Sequence, residues 1–304
     1  MIHARNVVTE AATSPQVVGE GLLEGLDHGY NSGTIVSPPR YNMKDMKFKN
    51  LGRWGLRVPI FSYGGSLSVG SVANGAAVKE LMQVAWDHVS ITNFVLSKDT
   101  FFIIRKTDPS RWTYQTKSYY RVVRMECSTD TRGYHSCKNC NLNPPVLEQP
   151  QYSLLNRERF EVEYNPIFKN LGHGSTIWSP LKDGILTGKY NDGIPAGSRM
   201  DVNKEYLKTS VNRLLGQEGQ EEIKKVKKLT QLAKEKLNCS VAQLALAWAA
   251  SNPHVSTVIL GATKPEQLRE NFGALKVGLL FFKRKACIPF SSSSSHILLV
   301  SFDH

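Results

Sequence analysis

Residues 178–199 read WSPLKDGILTGKYNDGIPAGSR. One tryptophan leads into a Ser-Pro break, then glycines, then Lys189, then a second turn that ends in Arg199. These residue types in this order suit a loop that holds a long anionic cofactor. Trp178 offers a flat ring for stacking, the glycines leave bare backbone for close approach, and two cations stand ready for phosphates. A second stretch of the same character, residues 259–271, reads ILGATKPEQLREN. There Gly261 and Thr263 precede a helix start, where unpaired N–H groups and the positive dipole end favour an anion. Taken one at a time, Trp178 reads as core, Lys189 and Arg199 as solvated cations and Gln267 as a surface helix residue. As an ordered set they point to a nucleotide site.

The elements that must position these residues follow from periodicity and breakers. Residues 46–51 resemble a short strand, 51–55 a turn and 56–61 a second strand. Residues 76–88 place Val78, Leu81, Met82 and Ala85 on one helical face, which makes Met82 core filling and not a ligand. Residues 145–149 and 175–178 read as strands, and 156–171 as a helix interrupted near Pro166. Residues 221–237 form an amphipathic helix with Ile223, Val226, Leu229, Ala233 and Leu237 inward. Ser240 with Gln243 makes a capping box for a helix to about Ala250, and Thr263 with Glu266 a second capping pair. Residues 255–260 are a buried β-branched strand. Strand and helix in alternation argue for a parallel α/β architecture. Between residues 89 and 139 only 97–105 suggests a strand.

Composition sets the outer limits. The chain has 304 residues, 41% of them hydrophobic and 21% charged, as expected of a soluble globular protein. No apolar run reaches the ~18 residues that span a bilayer, so membrane insertion is not expected. Five cysteines at irregular spacing form no disulfide framework and point to the cytoplasm. The net charge is +12, and residues 95–140 carry nine Lys/Arg against four Asp/Glu. Trp112, Tyr114, Tyr119 and Tyr120 interleave with these cations, but no nucleic-acid motif frames them, so no nucleic-acid partner is expected. His135, Cys137 and Cys140 have a ligand-like spacing but no second ligand pair, so no metal is assigned.

Several of these segments resemble one family. Asn50-Leu51-Gly52, residues 148–152 (EQPQY), 178–199, 242–248 (AQLALAW) and 260–271 (LGATKPEQLREN) are similar to the aldo-keto reductases. In particular they resemble the branch of voltage-gated potassium-channel beta subunits and their fungal relatives. The resemblance covers residues 46–88 and 142–277, somewhat over half of the chain. It implies a (β/α)8 TIM-barrel fold with NADP(H) bound at the C-terminal ends of the strands. Barrels of this kind often place phosphate sites in the loops after the last two strands. By that resemblance Trp178 stacks on the nicotinamide and Gln149 bonds its carboxamide. Ser179, Pro180, Leu181 and Lys189 hold the pyrophosphate, and Arg199 supplies charge at the 2′-phosphate end. Gly261, Thr263, Gln267, Glu270 and Asn271 surround the adenosine ribose and its 2′-phosphate. Lys182-Asp183 departs from the small residues usual there, and either crowds the pyrophosphate or swings outward.

The resemblance implies carbonyl reduction, with a tyrosine acid assisted by aspartate, lysine and usually histidine, and a small aldehyde or ketone as substrate. A D-T-A-x-x-Y segment should follow residues 85–88, but the text is VSITNFVLS, and Asp99 is the first aspartate. Tyr114, Lys117, Tyr119 and Tyr120 have suitable chemistry and no matching context, so no catalytic residue is assigned. Residues 89–140 stand where four βα units of ~30 residues each should be, so the barrel is expected to be incomplete. The expected layout is an irregular extension over 1–45, a family domain over 46–276 interrupted at about 89–140, and a tail over 277–304. Three readings remain: an NADP(H)-dependent carbonyl reductase, a catalytically silent NADPH-binding or channel-beta-like regulator, and the product of a defective gene model. A homo-oligomer or a channel-like partner follows from the family alone. Both departures begin with valine followed by Ser or Gly, which a GT intron start can encode. Transcript sequencing that returned this coding sequence unchanged across both points would end the retained-intron reading.

Overall fold

The computed structural model describes residues 46–53, 57–64, 75–89, 92–95, 101–108, 111–116, 121–122, 127–141, 144 and 146–277. Strands β1 (Phe48–Asn50) and β2 (Arg57–Pro59) pair as an antiparallel hairpin, with Lys49 opposite Val58. The sequence places one strand over residues 56–61, whereas Ile60 divides it. Ile60 N–H donates to Lys47 O at 2.9 Å, and Ile60 O accepts from Val258 N at 2.8 Å. This residue therefore hands the chain from the hairpin to β3 (Phe61–Tyr63), the first strand of a parallel sheet. The hairpin turn lies against the segment before the later strand Gly174–Ile177. Gly52 has a φ of +59°, and a Cβ there would collide with the Gly172 carbonyl. Only glycine meets both demands.

The parallel sheet has the order β3-β10-β9-β8-β7, with β7 (Arg121–Val122), β8 (Leu147–Glu148), β9 (Gly174–Ile177) and β10 (Thr257–Leu260). Every neighbouring pair is parallel: Val258 sits opposite Phe61 and Ile177, Leu147 opposite Gly174, and Arg121 opposite Leu147. All residues of β3, β9 and β10 are buried, as a sheet covered on both faces requires. Among the described residues these five strands do not close into a barrel. The architecture is the incomplete parallel α/β barrel expected from the missing length.

The middle segment is more ordered than its sequence suggests. The strands β4 (Thr92–Val95), β5 (Phe101–Asp108) and β6 (Arg111–Thr116) make a separate antiparallel sheet, followed by α2 (Cys127–Asn139). The one strand expected over 97–105 is displaced to β5. β4 and β5 show no strict alternation of polar and apolar residues, and only residues 111–115 of β6 alternate, so the pairing of the three is not visible locally.

The helices largely follow the apolar periodicity. In α1 (Ala76–Val89) Val78, Leu81, Val84 and Ala85 are buried, and Met82 packs partly against the core. Pro166 separates two short wide-turn helical segments, Arg159–Glu163 and Ile167–Leu171. The sequence does not announce α3 (Arg199–Val202) or α4 (Lys208–Leu215). The amphipathic helix begins earlier than expected, as α5 (Gln217–Leu232), and runs on into Ala233–Leu237. Helix α6 (Val241–Ser251) opens on the expected capping box, in which Ser240 and Gln243 each accept from the other's backbone N–H at 3.2 Å. At α7 (Pro265–Phe272) the expectation fails. Lys264 is the N-cap and makes no side-chain cap bond, while Thr263 pairs with Gln267 and not with Glu266. Pro265 suits the first helical position, which makes Lys264, a residue with no side-chain oxygen to accept a bond, the N-cap in place of Thr263.

The end of α6 is held by the hairpin. Lys49 Nζ donates to the carbonyls of Ala250, Asn252 and Val255 at 2.7, 2.8 and 3.0 Å. These include carbonyls that a helix C-terminus leaves without intrahelical partners. Burial lowers the Lys49 ammonium to about 8. Lys49→Met should lower stability at pH 7 by about 2 kcal/mol in urea unfolding, because buried acceptors lose their donors. The unfolded chain holds the extra proton between about pH 8 and pH 10.5, so stability rises with pH over that window in the wild type and not through this group in the variant.

Candidate cofactor site

Because β8, β9 and β10 are parallel neighbours, the residues that follow them emerge at one edge of the sheet. Gln149 follows β8, Trp178 to Leu181 follow β9, and Gly261 to Thr263 follow β10. The sheet extends slightly beyond the named strands. Trp178 N–H donates to Pro150 O at 3.1 Å, and Tyr152 N–H donates to Trp178 O at 3.4 Å. The structure thus brings together residues far apart in the chain, at the C-terminal strand ends where ligands of parallel α/β proteins bind.

Gln149 is 6% exposed, and its Nε2 has no hydrogen-bond partner among the described residues. A buried amide with an unmet donor calls for a partner from outside the chain. Trp178, Ser179 and Leu181 are partly exposed and Pro180 is buried. Gly261 is exposed, and a Cβ there would meet nothing within 4 Å, so its backbone is open to a ligand. Tyr63, buried beside this loop, donates its hydroxyl to Ala262 O at 3.0 Å and ties the loop to the first sheet strand.

The loop after Trp178 is held in an unusual backbone. Ser179, Lys182 and Asp183 have φ of 53°, 47° and 54°. This left-handed region costs non-glycine residues about 1 kcal/mol or more each. Residues Lys182–Thr187 then form two short tight turns with a kink at Asp183 and Gly184. Both side chains of Lys182-Asp183 are partly buried. Burial holds the Lys182 ammonium below the usual lysine range, Arg213 adds to that shift, and Glu222, Asp183 and Glu218 oppose it. Asp183 instead engages Ser179, Ser210 and Arg199. Lys189 is exposed, with Nζ 4.9 Å from the centre of the Tyr190 ring, and Arg199 opens α3 at the far end of the loop.

On the β10 side, Gln267 Oε1 accepts from Thr263 N–H at 3.1 Å and from Thr263 Oγ1 at 3.2 Å. Glu270 is exposed, and Asn271 is buried at 6% exposure. Helix α7 therefore carries Gln267, Glu270 and Asn271 directly after the open Gly261 loop. Ser210 on α4 bonds Asp183 and Arg213 acts on Lys182, and sequence reasoning missed both because α4 is short and has no capping side chain at its start.

The geometry agrees with comparison to known proteins. The model described as "Aldo/keto reductase family" matches residues 127–281, about half of the chain. The chain belongs to the aldo/keto reductase family. A Schizosaccharomyces pombe protein named "Putative voltage-gated potassium channel subunit beta" is 47% identical over 147 residues, which is 47% of this chain and 40% of that protein. The chain thus spans well under two thirds of that relative. The matched span includes α2, which lies within the segment that the sequence treats as an interruption.

The residues weighed for catalysis are described only in part. Tyr114 lies in β6 of the antiparallel sheet, opposite Ile104, and not in the parallel sheet. Asp99, Lys117, Tyr119 and Tyr120 lie outside the described residues. His135 and Cys137 are on α2 and Cys140 just after it; among the described residues no group of three metal-ligating side chains gathers. No described helix is long and apolar enough to cross a membrane.

One ion pair with a buried carboxylate joins α4 to α5. Arg213 Nη1 lies 2.8 Å from Glu222 Oε1, and Glu222 is 7% exposed. Arg213→Ala should lower stability by about 3 kcal/mol in urea unfolding, since it strands a buried carboxylate. The double variant Arg213→Leu with Glu222→Leu should recover most of that loss.

Proposed function

We propose that this chain binds NADP(H) as an aldo/keto reductase-type protein, at the C-terminal ends of β8, β9 and β10. The observation that carries the reading is the convergence of Gln149, residues 178–181 and residues 261–263 on one sheet edge, with the Gln149 Nε2 unmatched among the described residues. Gln149 would bond the carboxamide, and Trp178 would offer its partly exposed face to the nicotinamide ring. Ser179, Pro180, Leu181 and Lys189 would hold the pyrophosphate and Arg199 the 2′-phosphate end. Gly261 would allow close backbone approach, with Thr263, Gln267, Glu270 and Asn271 around the adenosine ribose. The bound nicotinamide supplies a hydride, which in this family reduces an aldehyde or ketone. Cytoplasmic residence is part of the same reading.

A second reading is favoured by the lack of a recognisable proton donor among the described residues at this edge. Here the protein binds the dinucleotide and performs no turnover, as a regulator. A channel-like partner rests on the printed name of the yeast relative, and a homo-oligomer on the family.

Titration of the intrinsic tryptophan fluorescence with NADPH tests the site. Saturable quenching is expected, and Gln149→Leu should weaken it about tenfold through loss of one buried hydrogen bond, with an unchanged melting temperature. Absence of saturable quenching in the folded protein would refute the cofactor site. With binding established, 4-nitrobenzaldehyde turnover decides for the reductase and its absence for the silent binder.

A further inference from the structure

The Asp183 carboxylate already occupies groups assigned above to the cofactor's phosphates. Ser179 Oγ donates to Asp183 Oδ1 at 3.3 Å and accepts from Asp183 N–H at 3.3 Å. Ser210 Oγ donates to Oδ2 at 3.2 Å, and Arg199 Nη2 lies 3.9 Å from Oδ1. The side chain is 19% exposed, so the carboxylate sits among its donors and not in bulk water. Its left-handed backbone is one that aspartate tolerates through local hydrogen bonds, here supplied by Ser179.

A carboxylate and a phosphate ask for the same donors. Of the carboxylate's three contacts, those with Ser179 and Arg199 use clamp residues; only Ser210 stands outside that set. A phosphate can take the Ser179 hydroxyl only as Asp183 releases it, and at Arg199 it meets a guanidinium already partly neutralised by the carboxylate 3.9 Å away. An Asp183 that stayed would face the phosphate as a like charge. Lys182 next to it is already placed in the field of Arg213, Glu218 and Glu222.

We propose that Asp183 is an internal anion that competes with the dinucleotide's phosphates for Ser179 and Arg199, and so limits the affinity of the site for its cofactor. The proposal rests on the NADP(H) reading of this site. It makes Asp183 an affinity-setting residue whose removal helps binding, the reverse of what a residue that grips the cofactor would do.

The test is NADPH binding, read by tryptophan fluorescence at low salt, in the full chain. Asp183→Asn keeps the size and the acceptor but removes the charge, and Asp183→Ser removes both. Both should tighten NADPH about five- to tenfold relative to wild type, and the gain should shrink in high salt. Ser210→Ala loosens the carboxylate without touching the clamp and should tighten binding about twofold. Arg199→Gln should weaken binding more in the Asp183→Asn background than in the wild type, because Arg199 is then wholly committed to the cofactor. Unchanged or weaker NADPH binding in Asp183→Asn, with a wild-type melting curve, overturns the proposal while leaving the cofactor site standing. No binding by wild type or any variant removes the site and this proposal with it.

Discussion

The register of three parallel strands governs everything else in this molecule. Hydrogen bonding of β8 to β9 and of β9 to β10 aligns their C-terminal ends, so that loops 110 residues apart in the chain open on one edge. Backbone ladders of this kind need no particular side chains, and they survive here although the described strands do not close into a barrel. Helices α5, α6 and α7 cover the sheet through an almost wholly apolar α6, and β3 continues the sheet beyond β10. A partial barrel can therefore present an ordered edge of loops on the strength of its last strands.

The N-terminal hairpin anchors this arrangement from the opposite end. Gly52 packs on the Gly172 carbonyl, Leu51 and Val58 cluster with Leu147, and Lys49 caps the end of α6. Ile60 joins the hairpin to the sheet by bonding both ways. Hairpin, sheet and α6 thus form one mechanical unit beneath the site. The antiparallel β4 to β6 sheet lies outside the parallel ladder, which explains how the cofactor half keeps its form beside an altered middle.

Electrostatics at the edge are more self-contained than a row of lysines and arginines suggests. Arg199 faces Asp183, Arg213 faces Glu218 and Glu222, and Lys182 feels all three carboxylates. Such a site holds its own balance of charge before any ligand arrives. What favours the proposed cofactor site over an ordinary surface network is then the Gln149 Nε2 without a partner among the described residues and the open Gly261 backbone, not the count of cations.

Much of the fold was legible locally. The capping box at Ser240, the break at Pro166, the apolar faces of α1 and α5 and the β-branched run of β10 are all short-range signals, and each appears where periodicity and capping rules put it. The family could be recognised from motifs for the same reason: residues 178–199 and 260–271 carry their chemistry in contiguous text. Three things were decided only in three dimensions. The split of residues 56–61 at Ile60 depends on a bond to β10, the strands β4 to β6 exist through mutual pairing, and Thr263 finds Gln267 because Pro265 displaces the expected cap. The fate of Asp183 belongs with them, since Ser210 reaches it from a helix that the sequence does not announce. Sequence by itself determined which residues can meet an anionic cofactor, because that is a matter of residue type and local spacing. Tertiary structure decided which of those groups are already engaged, because a donor's partner is set by whatever the fold brings within 3 to 4 Å of it.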